Sequence, residues 1–247
     1  MNLCIDQGNS RIKVALFRTD GGLIKRFVYK TFAFFDLERL FSLYPIDNSI
    51  ISSVGTMEPA IVNFLARKSK HFVLFDHHTP LPIVNLYDTP HSLGQDRLAA
   101  AVGANSILPG ENLLIIDAGS AITYDYVDSK GQYHGGNIAP GIKMRLTVLK
   151  QMTKRLPLID VDENQLIPLF GKNTKDAIAA GVIRGVTFEV KGYMRALSEQ
   201  VGTYSAVLTG GSAPYILNNI QQPLRYEKHL VLSGLNTILE YNIKQTP

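Results

Sequence analysis

One phrase occurs twice in this chain. "LCIDQGNSRIKVALF" (residues 3–17) and "LLIIDAGSAITYDYV" (residues 113–127) each run apolar strand, acid, glycine turn with a hydroxyl, second strand. Asp117 follows Asp6 by 111 residues, about the length of one small domain. A repeat at that distance predicts two α/β halves, each opening on a hairpin whose tip carries an acid. The 247 residues suffice for two such domains with a substantial core. We expect the boundary near Pro109–Asn112, giving domains 1–110 and 111–247.

Around the repeats, the spacing of apolar residues predicts further elements. "GGLIKRFVYK" suits a third strand and "SIISSVG" and "HFVLFD" two more. Leu37, Leu40, Phe41 and Tyr44 recur at helical spacing. "EPAIVNFLARKSK" has Pro59 near its start and basic residues at its end, which fits a helix and its dipole. "LPIVNLYDTPHS" is expected as an extended loop, followed by an alanine-rich helix in "LGQDRLAAAVGANSIL". In the second half, "NTKDAIAAGVIRGVTFEVKGYMRALSEQ" is a long helix, with Thr174 as the expected N-cap and Asp176 in its first turn. "YSAVLTGGSAPYIL" fits strand, glycine turn, helix. "HLVLSGLNTILEYN" is expected as a short strand and a final helix.

Composition excludes several classes. The formal charge is +4, but the 25 Lys and Arg residues are scattered and do not alternate with base-stacking aromatics, so no nucleic-acid partner is expected. The single cysteine, Cys4, sits in an apolar strand and can build neither a disulfide framework nor a thiolate metal site, which fits a reducing compartment. No signal peptide is expected before the first strand and no apolar run is long enough to span a bilayer, so a cytoplasmic protein without a membrane partner is expected. His77 and His78 in "DHHT" would point apart in an extended chain, which argues against a metal site there.

The turns themselves carry chemistry. Glycine lets backbone N–H groups approach an anion with no Cβ in the way, and the Ser10 and Ser120 hydroxyls and the Asn9 amide add donors suited to phosphate oxygens. A carboxylate would repel phosphate unless a cation lies between them, so Asp6 and Asp117 are expected to face cations. A solvent-exposed turn with its usual Asp and Gly is the plainer reading of one copy; two copies a domain apart favour a paired phosphate clamp. Neither G-x-x-x-x-G-K-[ST] nor G-x-G-x-x-G occurs, so no helix N-terminus of those two kinds holds the phosphates.

Here the sequence resembles a known family. The duplicated D-x-G turns and the late "TGG" are similar to the superfamily of acetate and sugar kinases, the Hsp70 ATPase domain and actin. "DQGNSRIK" (6–13), "GQDR" (94–97), "DAGSAITYD" (117–125), "GGNIAPG" (135–141), "NTKDAIAAG" (173–181), "LTGGSA" (208–213) and "LVLSGL" (230–235) together resemble type III pantothenate kinase, in order over nearly the whole chain. The resemblance implies an α/β fold of two ribonuclease-H-like domains with mixed sheets flanked by helices, gripping ATP. It implies phosphorylation of pantothenate, the first step to coenzyme A, by a homodimer needing Mg²⁺ and a monovalent cation, K⁺ or NH₄⁺.

Residue by residue, the resemblance implies that Asp6, Gln7, Gly8, Asn9, Ser10, Arg11, Ile12 and Lys13 form the first phosphate loop, with Asp6 directed at the Mg²⁺ of the nucleotide. Ser120, where the family usually has threonine, contacts phosphate from the second loop, and Asp117 holds the monovalent cation. Gly210 and Gly211 let adenosine lie against the backbone. Asp96 accepts the proton of the attacking hydroxyl, and Arg97 has a planar fork suited to the substrate carboxylate. Tyr87, Gly94, Gln95 and Thr174 complete the pantothenate contacts; Gln95 stands where the family has a small residue. Taken without the resemblance, Asp96 is an acid at a helix N-terminus, Arg97 its surface partner, Tyr87 loop packing and Thr174 a cap. Ala177, Gly181 and Gly185 recur every fourth residue and allow close approach of another element, either a second subunit or a neighbour in the same chain. A sugar kinase of the same superfamily is the nearest enzymatic rival, though one cysteine cannot build the zinc motif of the repressor-type sugar kinases. An actin-like nucleotide-binding protein is the non-catalytic rival, and it has no need of an acid at Asp96.

Overall fold

Apolar runs that are buried on both faces become central strands, and the two repeated phrases do so here. The computed structural model describes residues 1–53, 55 and 58–245. The chain opens with β1 (Asn2–Gln7), β2 (Ile12–Phe17) and β3 (Leu23–Tyr29), then α1 (Phe34–Leu43), β4 (Asn48–Ser53), α2 (Pro59–Lys68), β5 (His71–Leu74), the short β6 (Val84–Asn85) and α3 (Gln95–Ile107). The repeat gives β7 (Leu113–Ala118), β8 (Ala121–Val127) and β9 (Gln132–Pro140). Then follow α4 (Ile142–Met152), α5 (Thr174–Ala179), a π-helical turn over Ala180–Arg184, α6 (Gly185–Val201), β10 (Ser205–Thr209), α7 (Ala213–Leu217), β11 (Arg225–Tyr226) and α8 (Leu230–Gln245).

Two compact units result. Unit 1 comprises Met1–Pro109, Gly131–Tyr133 and His229–Pro247; unit 2 comprises Gly110–Lys130 and His134–Lys228. The sheet of unit 1 has the order β3-β2-β1-β4-β5, with β1 antiparallel to β2 and parallel to β4. Unit 2 repeats this order as β9-β8-β7-β10-β11, with β7 antiparallel to β8 and parallel to β10. The short β6 pairs with Gln132 and Tyr133 at the start of β9, all within unit 1.

Strand alternation sorts the side chains. Leu3 and Ile5 join Val14, Leu16, Leu37, Leu40 and Leu65 in a core under α1 and α2. Asn2, Cys4 and Asp6 point to the opposite face, where α8 packs on β1 and against α3. At that helix crossing a Cβ on Gly234 would lie 1.7 Å from the carbonyl oxygen of Ala99, so only glycine lets the two backbones come so close. A buried chain of amides ties the same helix to the sheet: Asn48 Nδ2 donates to Asn2 Oδ1, and Asn2 Nδ2 donates to Asn236 Oδ1, both at 2.9 Å.

Four local expectations are corrected. Residues 230–245 form one helix without a preceding strand; the run Leu230, Val231 and Leu232 is buried on several sides against unit 1, and so short an apolar run fits a buried helix as well as a strand. The domain division at 110 therefore does not carry the C-terminal helix with it. The N-cap of α5 is Asn173, whose Oδ1 accepts from Asp176 N at 3.0 Å, and Thr174 is the first helical residue. "DHHT" is a turn: Asp76 Oδ1 accepts from His78 N and Thr79 N, and this folding back brings the two histidine rings to 3.9 Å between centroids. Among the described residues, no three His, Cys, Asp or Glu gather as a metal-binding group, and no helix is long and apolar enough to cross a membrane.

Candidate active site

Each unit assembles one cluster from the expected residues. In unit 1, Asp6 is the last residue but one of β1, in register with Lys13 on β2 and Ser52 on β4. Its side chain is 5% exposed, and Lys13 Nζ lies 3.3 Å from Oδ2. Burial pushes the Asp6 carboxyl above its ordinary value; the Lys13 charge pulls it down by less, and the negative charge of Asp96 raises it further. Gly8 N donates to Arg11 O at 3.2 Å, closing the loop and leaving Asn9, Ser10 and Arg11 at an exposed tip, with Gln7 and Ile12 half-buried at its base.

The start of α3 faces the same acid. Gly94 caps the helix, and a Cβ there would sit 2.5 Å from Asp96 Oδ1, so the absence of a side chain is what lets the carboxylate fold back to accept from Arg97 N at 2.9 Å. Asp96 stays half-buried beside Gln95. Arg97 is 6% exposed, and its guanidinium lies 5.7 Å from the centre of the Tyr87 ring. Tyr87 is oriented by its own loop, its N–H donating to Asn85 Oδ1 at 3.0 Å. Unit 1 thus brings Asp6, Lys13 and Asp96 together, and Arg97 with Tyr87.

In unit 2 the hairpin is tighter. Only Gly119 and Ser120 separate β7 from β8. Asp117 is in register with Thr123 on one side and Thr209 on the other. Directly after Thr209, Gly210 adopts φ +98°, and a Cβ there would lie 2.5 Å from both Asp117 Oδ1 and Ala118 O. Ser212 N donates to Ala118 O at 2.8 Å. The turn of "TGGS" therefore lies against the hairpin of "DAGS", with Gly211 exposed beside it. On the other side, a Cβ on Gly141 would be 2.3 Å from Ser120 O. That second buttress comes from "GGNIAPG", whose atomic role the sequence left open. The α4 helix behind it was missed, although Ile142, Leu146 and Leu149 carry a helical spacing.

Thr174 lines a groove of about 910 Å³ in unit 2, together with Pro140, Met144, Arg145, Val148, Ala177 and Gly181. Among the described residues, nothing stands within 4 Å of a Cβ placed on Gly181 or Gly185, whereas the backbone of Ala177 packs closely against Gly171, where a Cβ would lie 2.1 Å from Ala177 N.

The residues present fit an ATP-dependent phosphotransferase: a buried carboxylate beside a second one, glycine turns, and exposed hydroxyls at two hairpin tips. Comparison with solved structures defines the class. A glucokinase of the ROK family from Streptomyces griseus, solved with glucose and AMPPNP, superposes with a TM-score of 0.53 at 11% identity, covering 97% of this chain and 98% of that one. A protein from Campylobacter jejuni described as a putative Baf family transcriptional activator gives 0.65 at 22% identity, covering 98% and 99%. At such identities the likeness establishes architecture alone: the duplicated α/β fold of the sugar kinases and actin-like ATPases. Within that class, residues 2–196 match the family model of type III pantothenate kinase. The type III pantothenate kinase of Phocaeicola vulgatus is 42% identical over 244 residues, 99% of this chain and 100% of the relative. The chain belongs to the type III pantothenate kinase family.

Proposed function

We propose that the unit 1 cluster carries the chemistry of the family's reaction, the phosphorylation of pantothenate, and that Asp96 is its base. The observation that carries this is the grouping at the start of α3: a half-buried carboxylate beside Asp6, with Arg97 next to it in the helix and the Tyr87 ring 5.7 Å from the Arg97 guanidinium. Asp96 would accept the proton of the primary hydroxyl as the oxygen attacks, since an alcohol is a poor nucleophile until that proton leaves. Arg97, stacked on Tyr87, presents a fork suited to the pantothenate carboxylate. Asp6 would hold the divalent metal of the nucleotide, with Lys13 and the loop Gln7–Ile12 around the phosphates. In unit 2, Ser120 would contact phosphate, Asp117 a potassium or ammonium ion, and Gly210 and Gly211 the adenosine. Bound Mg²⁺ and ATP supply the phosphoryl group and neutralise part of its charge. Thr174 would reach substrate from a second copy of the chain seated on the groove beside Ala177, Gly181 and Gly185; a monomeric mass in light scattering would remove that role.

The direct test is turnover of ATP, Mg²⁺, K⁺ and pantothenate by the purified protein, with Asp96→Asn beside it. Asp96→Asn is expected to bind ATP normally and to lose about 10²–10⁴ in kcat, the range for removal of a general base. Near-normal turnover in that variant would exclude Asp96 as the base, and absence of pantothenate phosphorylation by the parent protein would exclude the reaction.

A further inference from the structure

Arg145 belongs to none of the motifs above. Its Nη1 and Nη2 donate to the two carboxylate oxygens of Glu189 at 2.6 and 2.7 Å, and its Nε donates to the carbonyl of Pro140 at 2.7 Å. The Tyr124 hydroxyl donates to Glu189 Oε2 at 3.4 Å, and burial together with the Glu189 charge holds that phenol well above its ordinary range, so it remains a donor. Four elements meet in this arrangement: β8 through Tyr124, the end of β9 through Pro140, α4 through Arg145 and α6 through Glu189.

Two of these elements, β8 and the end of β9, bear directly on the second hairpin. Pro140 is followed by Gly141, whose missing side chain lets the backbone lie against Gly119 and Ser120; a Cβ there would be 2.8 Å and 2.3 Å from their carbonyl oxygens. Tyr124 lies four residues beyond Ser120, on the strand leaving the turn. The carbonyl gripped by Arg145 is therefore one residue from the backbone that supports the hairpin tip. A partly exposed ion pair contributes little to global stability, but a bidentate fork with a third bond to the carbonyl that ends β9 fixes direction. Lysine, a point charge on a flexible stem, cannot make all three bonds.

We propose that Arg145, held by Glu189, is a positioning residue for the Gly119–Ser120 turn: it clamps Pro140–Gly141 against the hairpin and so sets the aim of Ser120 at the nucleotide. The proposal rests on the reading of Ser120 as a phosphate contact.

Arg145→Lys and Arg145→Gln, with Ser120→Ala as reference, test it by three readouts. Calorimetric affinity for a non-hydrolysable ATP analogue, and KM for ATP, should weaken about tenfold in both Arg145 variants, while KM for pantothenate stays within about twofold. Amide exchange of a peptide spanning residues 117–123 should quicken, with the melting temperature nearly unchanged. Nucleotide affinity within about twofold of the parent in Arg145→Lys, which keeps charge and stem and should fold even if the glutamine variant does not, would overturn the clamp. So would a parallel rise of both KM values with a large fall in melting temperature, the mark of a purely structural residue. Ser120→Ala separates the two levels: a loss there with none at Arg145 refutes the clamp alone, and no loss at Ser120 refutes the phosphate reading and the clamp with it.

Discussion

The two acidic hairpins share a phrase and differ in what surrounds it. In unit 1 a four-residue loop, Gly8–Arg11, joins the strands, and the carboxylate is buried against a lysine of its own hairpin. In unit 2 two residues make the turn, the carboxylate is half-buried with Gly210 against it, and the backbone of Gly141 lies against the turn itself. The first hairpin manages its charge with its own side chains. The second is shaped by glycine backbone delivered from elsewhere. The strand order is the same in both units, the surroundings of the two acids differ, and the proposed function gives each acid a separate task.

Asparagine at each acid is the strongest test of that separation. Asp6→Asn and Asp117→Asn are each expected to lower kcat by about 10²–10³, the usual loss when one charge-stabilising group is removed. Only Asp117→Asn should abolish the response to added potassium or ammonium in steady-state assays; only Asp6→Asn should raise the Mg²⁺ requirement. Identical responses from the two variants would erase the distinction.

Alanine in the two glycine turns comes next. Gly210→Ala must place a methyl 2.5 Å from Asp117 Oδ1 and Ala118 O at φ +98°, and should cost about 2–4 kcal/mol in denaturant unfolding from overpacking and backbone strain together. Gly8→Ala meets only Arg11 O at 3.4 Å, an ordinary contact, and should stay within about 1 kcal/mol of the parent. Equal costs would mean that the second hairpin is no more dependent on backbone than the first.

The smallest effect concerns stability and pH. Because the folded Asp6 carboxyl is raised above its ordinary value of 3.8, the folded state holds that proton more tightly than the unfolded chain. Stability from this group is therefore fully present below the unfolded value and is lost as pH rises through the folded one. Asp6→Asn removes the ionised form, so at pH 8 the ligand-free variant should melt about 1–3 °C above the parent, with the gap closing as pH falls toward 4. A lower melting temperature at pH 8 would show that the Lys13 pair outweighs burial.

Much of this arrangement was legible in the sequence because it is written locally. The strand–turn–strand repeats, the proline-started α2, the alanine-rich α3 and the glycine turn after β10 each follow from periodicity, propensity and turn chemistry within a dozen residues. Asp96 and Arg97 were placed by their helix N-terminus in the same way. The sequence was misleading where a local signal was ambiguous. Asn173 and Thr174 are both acceptable caps, and only the bond to Asp176 N decides between them. "HLVLSGL" is apolar enough for a strand, and only burial against α3 makes it helix.

By itself, then, the sequence determined two α/β halves, each opening on a hairpin with an acid and a hydroxyl, and an alanine-rich helix with Asp96 in its first turn after the first. These depend on neighbours along the chain. Tertiary structure alone decided that α8 would pack on unit 1, that Gly141 and Gly210 would close on one hairpin, and that Arg145 and Glu189 would meet beside it. Those contacts join residues from about 20 to more than 200 positions apart, and their energy comes from close packing and oriented hydrogen bonds that no short stretch of sequence contains.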